Sequence, residues 1–150
     1  MTTALPPACV LDANVVIRLF VPGAYMPEIQ QYFVELTDAG EVHAPDLLPV
    51  ECANVLWKYV RAGEYDVAQV QRDLIDLLAL TIRWVPTGEL LIYALEIACA
   101  YGASTYDACY VALAEQLKLP LVTADKKLAA KLVNAPCVIL TLDSLFSTAE

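Results

Sequence analysis

The sequence predicts an α/β fold built on a mainly parallel sheet. Two observations carry that expectation. Short apolar runs bounded by turn residues alternate with longer stretches of helical periodicity. Hydrophobic residues make up 59% of the 150 positions and charged residues only 18%, a balance that gives a packed globule rather than a disordered chain. The length suits one domain, residues 1–150, with one sizeable core, and no repeat, low-complexity tract or long Gly/Ser linker divides it.

The elements follow in order. Ala8 to Leu11 (Ala-Cys-Val-Leu) reads as the first buried strand, with a helix starting near Ala13. A second helix runs from Pro27 to Asp38 and ends at Gly40, and Val42 to Ala44 is the next strand. Leu47 to Arg61 is helical and stops at Gly63, a residue suited to helix C-termini. Tyr65 to Leu80 repeats apolar residues at helical spacing. Ile82 to Val85 is a brief strand before Pro86, and Gly88 to Tyr101 a helix closed by Gly102. Thr105 to Leu117 is almost wholly apolar after Asp107, which predicts a central buried helix. Pro120 to Thr123 is a strand, Asp125 to Leu132 a helix, and Cys137 to Thr141 the last strand.

Several function classes are excluded. No uncharged stretch approaches the roughly 18 residues needed to cross a bilayer, and Met1 to Pro7 lacks the basic and apolar regions of a secretory signal. The five cysteines (Cys9, Cys52, Cys99, Cys109, Cys137) are odd in number and widely spaced; four sit among apolar residues and read as buried, reduced thiols, which places the protein in the cytoplasm. His43 is the only histidine, so structural zinc and Ser-His-Asp or Cys-His nucleophilic arrangements have no support. Neither a Walker-type phosphate loop nor a G-x-G-x-x-G turn is present. A net charge of −9 argues against a nonspecific nucleic-acid coat, although an acidic chain can act on RNA if part of its negative charge forms a metal site.

Four carboxylates stand where a soluble fold has no need of them. Asp12 ends the run Cys9-Val10-Leu11, and Asp125 follows Leu121-Val122-Thr123-Ala124, so each lies at the carboxyl end of a buried strand, where open α/β sheets bind ligands. Serving as helix N-caps is the plainer explanation for both. Glu51 shares the apolar face of its helix with Leu47, Leu48, Asn54 and Val55; a buried salt bridge would account for it, and so would a bound cation. Asp107 stands three residues after Ser104, as in a variant capping box, yet the apolar run that follows draws it inward. Converging acids raise one another's pKa and destabilise the fold unless a cation neutralises them. Mg²⁺ or Mn²⁺ suits all-oxygen ligands and supports attack on phosphorus by water.

The segments Val10-Leu11-Asp12-Ala13-Asn14-Val15-Val16, Pro49-Val50-Glu51-Cys52-Ala53-Asn54-Val55-Leu56, Tyr106-Asp107-Ala108-Cys109-Tyr110-Val111-Ala112-Leu113-Ala114 and Leu121-Val122-Thr123-Ala124-Asp125-Lys126-Lys127-Leu128 closely resemble PIN domains, above all VapC-type ribonuclease toxins and their stand-alone relatives. Each motif alone is weak; four in the family's order and spacing, from about Val10 to Leu140, are specific. The resemblance implies an α/β/α sandwich with a short parallel sheet, and Mg²⁺- or Mn²⁺-dependent cleavage of RNA. It makes Asp12, Glu51, Asp107 and Asp125 the catalytic and metal-binding quartet, with the Thr123 hydroxyl in support. An antitoxin protein is the partner it implies. Arg18, Lys58, Arg61, Lys126, Lys127 and Lys131 are candidates for holding phosphates, with a solvated helix face as the plainer reading of each.

Two other classes compete. A noncatalytic PIN-like module for dimerisation or scaffolding would use the same apolar and Tyr-rich helices but would not need four mutually repelling acids. A receiver-like phosphoacceptor, using an Asp, a metal, a Thr and a Lys, would not require Glu51 on an inner helix face. The high apolar content predicts a homodimer, with Tyr65 to Leu80 and Gly88 to Tyr101 the likeliest contributors.

Overall fold

The computed structural model describes residues 5–39 and 41–147. Strand β1 (Ala8–Leu11) leads into a one-turn helix α1 (Ala13–Val16), a 3₁₀ turn (Ile17–Leu19) and helix α2 (Met26–Ala39). Then come β2 (Glu41–Pro45), α3 (Leu48–Arg61), α4 (Val67–Leu78), β3 (Arg83–Val85), α5 (Thr87–Tyr101) and α6 (Thr105–Leu117). The chain closes through β4 (Leu121–Thr123), α7 (Lys126–Lys131), β5 (Ile139–Thr141) and α8 (Leu142–Phe146). The order of strands and helices matches the sequence expectation. The short α8 was not foreseen. The expected stop of the second helix at Gly40, and most of the Met1 to Pro7 segment, lie outside the described residues.

The five strands form one all-parallel sheet in the order β3-β2-β1-β4-β5. Val10 stands beside His43 on one side and Leu121 on the other. Successive strand residues point to opposite faces, yet Cys9, Val10, Leu11, Leu121, Val122 and Thr123 are all buried. Both faces of the central strands are therefore covered by helices, giving the α/β/α layering expected.

Helix α6 packs against β1, β2 and β4 and along α5, and Ala108 through Ala114 are buried without a break. A helix apolar on all sides belongs in the interior. Helix α5 ends at Gly102, whose φ of 71° is the left-handed conformation glycine adopts without a steric penalty; Gly63 has a φ of 75° just past α3. Cys9, Cys52 and Cys109 are buried, Cys137 is half-buried and Cys99 exposed; all five are free thiols. Of the four buried cysteines expected, three are fully buried and Cys137 only half so, while Cys99 is exposed on α5. Among the described residues, no helix is long and apolar enough to cross a membrane.

Candidate active site at the sheet switch point

The chain leaves β1 toward β2 on one side and enters β4 on the other, so the strand order reverses between β1 and β4. Adjacent connections diverge there and leave a crevice at the carboxyl ends of the strands. Asp12 follows β1 and Asp125 lies two residues beyond β4. The two expected strand-end acids are therefore on neighbouring strands.

Asp12 occupies the N-cap position of α1, but its side chain makes no capping hydrogen bond. The Thr123 hydroxyl instead donates to Asp12 Oδ2 at 2.9 Å. Only 4% of Asp12 is exposed, and no basic side chain pairs with it among the described residues. Burial pushes its carboxyl from 3.8 up to about 7, and repulsion from Asp107 and Glu51 adds to this, against the opposing bonds from Thr123 and the Ala13 N–H. The capping explanation fails at this residue.

Thr123 is held in turn. Asn14 Nδ2 donates to its hydroxyl at 3.1 Å, as does the Asp125 N–H at 3.1 Å, while Asn14 Oδ1 accepts the Ala124 N–H at 2.9 Å. Asn14 thus ties the start of α1 to the end of β4. At Asp125 the capping explanation holds for one oxygen, since Oδ1 accepts from the Leu128 N–H at 3.0 Å.

Glu51 lies in the first turn of α3. That turn is anchored by Thr87, whose N–H and hydroxyl donate to Asp46 Oδ1 at 2.8 and 2.6 Å while its Oγ1 accepts the Leu47 N–H at 3.1 Å. Leu48, Cys52 and Leu56 are the buried residues of the helix, and Glu51 beside them is half-buried. Among the described residues it has no salt bridge; its partner is the Tyr110 hydroxyl, which donates to Oε1 at 2.6 Å. Burial raises the Glu51 carboxyl, the Tyr110 bond opposes this, and Asp107 adds repulsion.

Asp107 sits in the first turn of α6, and its N–H donates to the capping Ser104 Oγ at 3.1 Å. The cap foreseen as the alternative is therefore real, but the Asp107 carboxyl still lies within the field of the other acids. Burial raises it first; the Ser104 bond opposes, Asp125 repels, and Lys131 offsets part of the effect.

Mutual repulsion thus links Asp12 to Glu51 and Asp107, Glu51 to Asp107, and Asp107 to Asp125. One oxygen of Asp12, Glu51 and Asp125 is held by a donor of the chain. Among the described residues, no three His, Cys, Asp or Glu side chains stand close enough together to hold one metal ion. The arrangement is four acids around one crevice rather than a closed ligand cage. His43 lies apart on β2, paired with Glu41 at 3.0 Å.

Asn14 and Tyr110 were not singled out from sequence. A signal existed for each. Asn14 is the one polar residue in Ala13-Asn14-Val15-Val16-Ile17, and a tyrosine inside a wholly apolar helix must find a partner for its hydroxyl.

The PIN domain family matches residues 9–132. Ribonuclease VapC3 of Pyrobaculum aerophilum is 34% identical over 126 residues, 81% of this chain and 92% of that protein. Ribonuclease VapC1 of Mycobacterium tuberculosis is 33% identical over 134 residues, 87% of this chain and 95% of that one. Among solved structures, PAE2754 from Pyrobaculum aerophilum superposes with a TM-score of 0.63 at 26% identity, covering 88% of this chain and 83% of that one. A toxin-antitoxin complex from Klebsiella pneumoniae gives 0.62 at 17% identity over 88% and 96%, a likeness of fold alone.

Proposed function

The chain belongs to the PIN-domain family, and from that premise we propose that it is a metal-dependent ribonuclease hydrolysing RNA phosphodiester bonds at its four-carboxylate crevice. The observation that carries the reading is Asp12: a buried carboxylate at a helix N-cap whose side chain makes no capping bond to the second or third residue of the helix, which has no cationic partner among the described residues, and which faces repulsion from two further acids. An ionised group in that position is costly unless a cation joins it. The relatives named ribonucleases support the same reading.

The donor set fits a hard divalent ion. All four acids offer oxygen, and Mg²⁺ and Mn²⁺ prefer such ligands. The Cys52 and Cys109 thiols lie beside Glu51, but burial pushes both up, Cys52 to about 12, which keeps them protonated and poor ligands. Asp12, Glu51, Asp107 and Asp125 would hold the ion by closing in from the wider spacing they keep without it, and the ion would supply charge neutralisation at the phosphoryl group and a more acidic water. The chain's own part is positioning. Thr123, fixed by Asn14 and the Asp125 N–H, orients Asp12; Tyr110 orients Glu51; Ser104 fixes the turn that presents Asp107. Asp12 and Asp125 approach from the strand ends and Glu51 and Asp107 from helix starts.

The partners follow from surface chemistry. Val67, Ile75 and Leu78 on α4, and Leu91, Ile92 and Leu95 on α5, are exposed, with Ile92 at 81%. Such a surface suits a homodimer and an antitoxin protein; light scattering showing only monomer at micromolar concentration would remove the dimer. The reduced thiols suit the cytoplasm. The function is tested by incubating mixed cellular RNA with the protein in Mg²⁺, Mn²⁺ or EDTA, beside Asp12→Asn. Cleavage in a divalent ion, absent in EDTA and in the variant, is expected. Cleavage that persists in EDTA, or in the variant, overturns the assignment.

A further inference from the structure

The chain carries nine Lys and Arg against eighteen Asp and Glu, so an RNA strand meets a mostly repelling surface. Three of those basic residues line one place. An open groove of about 460 Å³ is bounded by Asn14, Arg18, Ala124, Asp125, Lys126 and Lys127. It shares Asn14 and Asp125 with the acidic crevice. Arg18, Ala124 and Lys126 also line an adjoining cavity of about 160 Å³, whose far wall holds Tyr25 and Asp143. The two hollows form one path leading away from the carboxylates on the β4–β5 side of the sheet.

We propose that this path is the subsite for the single-stranded RNA segment flanking the scissile bond, with Arg18, Lys126 and Lys127 holding its phosphate; the inference rests on the ribonuclease reading. Arg18 is set up for an anion. Its guanidinium lies over Gly23, where the missing Cβ leaves space for it. Nη1 donates to the Pro22 carbonyl at 3.3 Å, while Nε is buried without any acceptor. An unsatisfied guanidinium N–H is costly, so the pose in which Arg18 leaves Nε unpaired is one that a phosphate in the groove can displace by drawing the guanidinium toward it. Lys127 is exposed and has no salt bridge among the described residues.

Lys126 pairs across the groove with Asp143, which also accepts from the Tyr25 hydroxyl at 2.6 Å. A phosphate entering the path competes with Asp143 for Lys126. Tyr25 lines the far end, its ring beside Phe146 at a centroid distance of 5.8 Å, and aromatic and basic groups together are the combination that single-strand sites use. Of the other basic candidates, Lys131 stands on the Asp107 side of the crevice and donates to the Gly102 carbonyl at 3.4 Å. Lys58 and Arg61 are seven and ten residues along α3 from Glu51, and Arg61 lies over the Trp57 ring at 4.8 Å.

The test is fluorescence anisotropy of a short labelled single-stranded RNA in EDTA, over a roughly tenfold range of salt. All proteins carry Asp12→Asn, so the strand is bound and not cut. Arg18→Ala with Lys126→Ala and Lys127→Ala should weaken binding at least about tenfold at low salt and flatten the log–log salt slope by about 2, near 0.7 for each lost contact. Lys58→Ala with Arg61→Ala should leave the slope unchanged. Asp143→Asn should bind about threefold tighter by releasing Lys126, whereas Asp76→Asn, a neutralisation on exposed α4, should not. This gain cannot come from misfolding.

Absence of binding at the lowest salt, an unchanged slope in the triple variant, or equal gains from Asp143→Asn and Asp76→Asn would overturn the subsite. Cleavage separates the two readings. If the protein with native Asp12 cuts RNA and the triple variant in that background keeps its KM, the subsite fails and the ribonuclease stands. If it cuts nothing while the slopes differ as expected, the ribonuclease reading fails and the groove remains a binding site.

Discussion

Replacing Asp12 with asparagine should make the metal-free protein more stable while removing its activity. In the native state the Asp12 carboxyl titrates near 7 instead of 3.8. At pH 8 the ionised native form is therefore disfavoured by about 4 kcal/mol relative to the unfolded chain. Asparagine removes the charge and keeps an oxygen for the Thr123 hydroxyl, so most of that penalty should disappear: about 3 kcal/mol, or a Tm higher by about 6–12 °C for a chain of this length.

The pH dependence follows from the sign of the displacement. A carboxyl whose native pKa is raised makes its full contribution to stability below the unfolded value of 3.8, and that contribution is lost as pH rises through about 7. The parent should thus lose stability relative to Asp12→Asn between about pH 4 and 7, with a constant gap above that range. Thermal denaturation in EDTA at several pH values measures the gap. Added Mg²⁺ should then stabilise the parent more than the variant, because binding to the folded state alone raises stability. A variant less stable than the parent at pH 8 in EDTA, or a gap independent of pH, would refute the reasoning: Asp12 would then be a structural acid.

At Asp107, two variants separate cap from site: Ser104→Ala should cost about 1 kcal/mol through the lost cap, whereas Asp107→Asn should leave metal-free stability unharmed and abolish cleavage. A large stability loss in Asp107→Asn, with cleavage per folded molecule retained, would reverse its assignment. Tyr110→Phe removes the donor to Glu51 at 2.6 Å and should cost about 1–3 kcal/mol, read by thermal denaturation in EDTA and accompanied by slower cleavage. With a thiol reagent at pH 8, Cys99 should react within the native state. Cys9 and Cys52 should react only on unfolding, because burial pushes them up to about 11 and about 12; native-state labelling of either would contradict the packing.

Patterns written along the chain determined the element order, because hydrophobic period is local: an uninterrupted apolar run made Thr105 to Leu117 the interior helix, and short runs ending in Asp12 and before Asp125 marked two strand ends. The same patterns made all four acids visible as residues out of place. They could not say which acid merely caps a helix, since a capping aspartate and a functional one occupy the same position in sequence. That distinction depends on partners 109 to 111 positions away, where Thr123 meets Asn14 and Asp12. The strand order β3-β2-β1-β4-β5 was equally hidden, because pairing of β1 with both β2 and β4 arises from how covered faces stack and not from any residue's neighbours. Tyr110 gave its apolar bulk to the periodicity, and only the tertiary fold brought its hydroxyl to Glu51. Sequence determined which groups carry charge; the tertiary structure decided which of them repel one another, because electrostatic energy depends on separation and burial rather than on order along the chain.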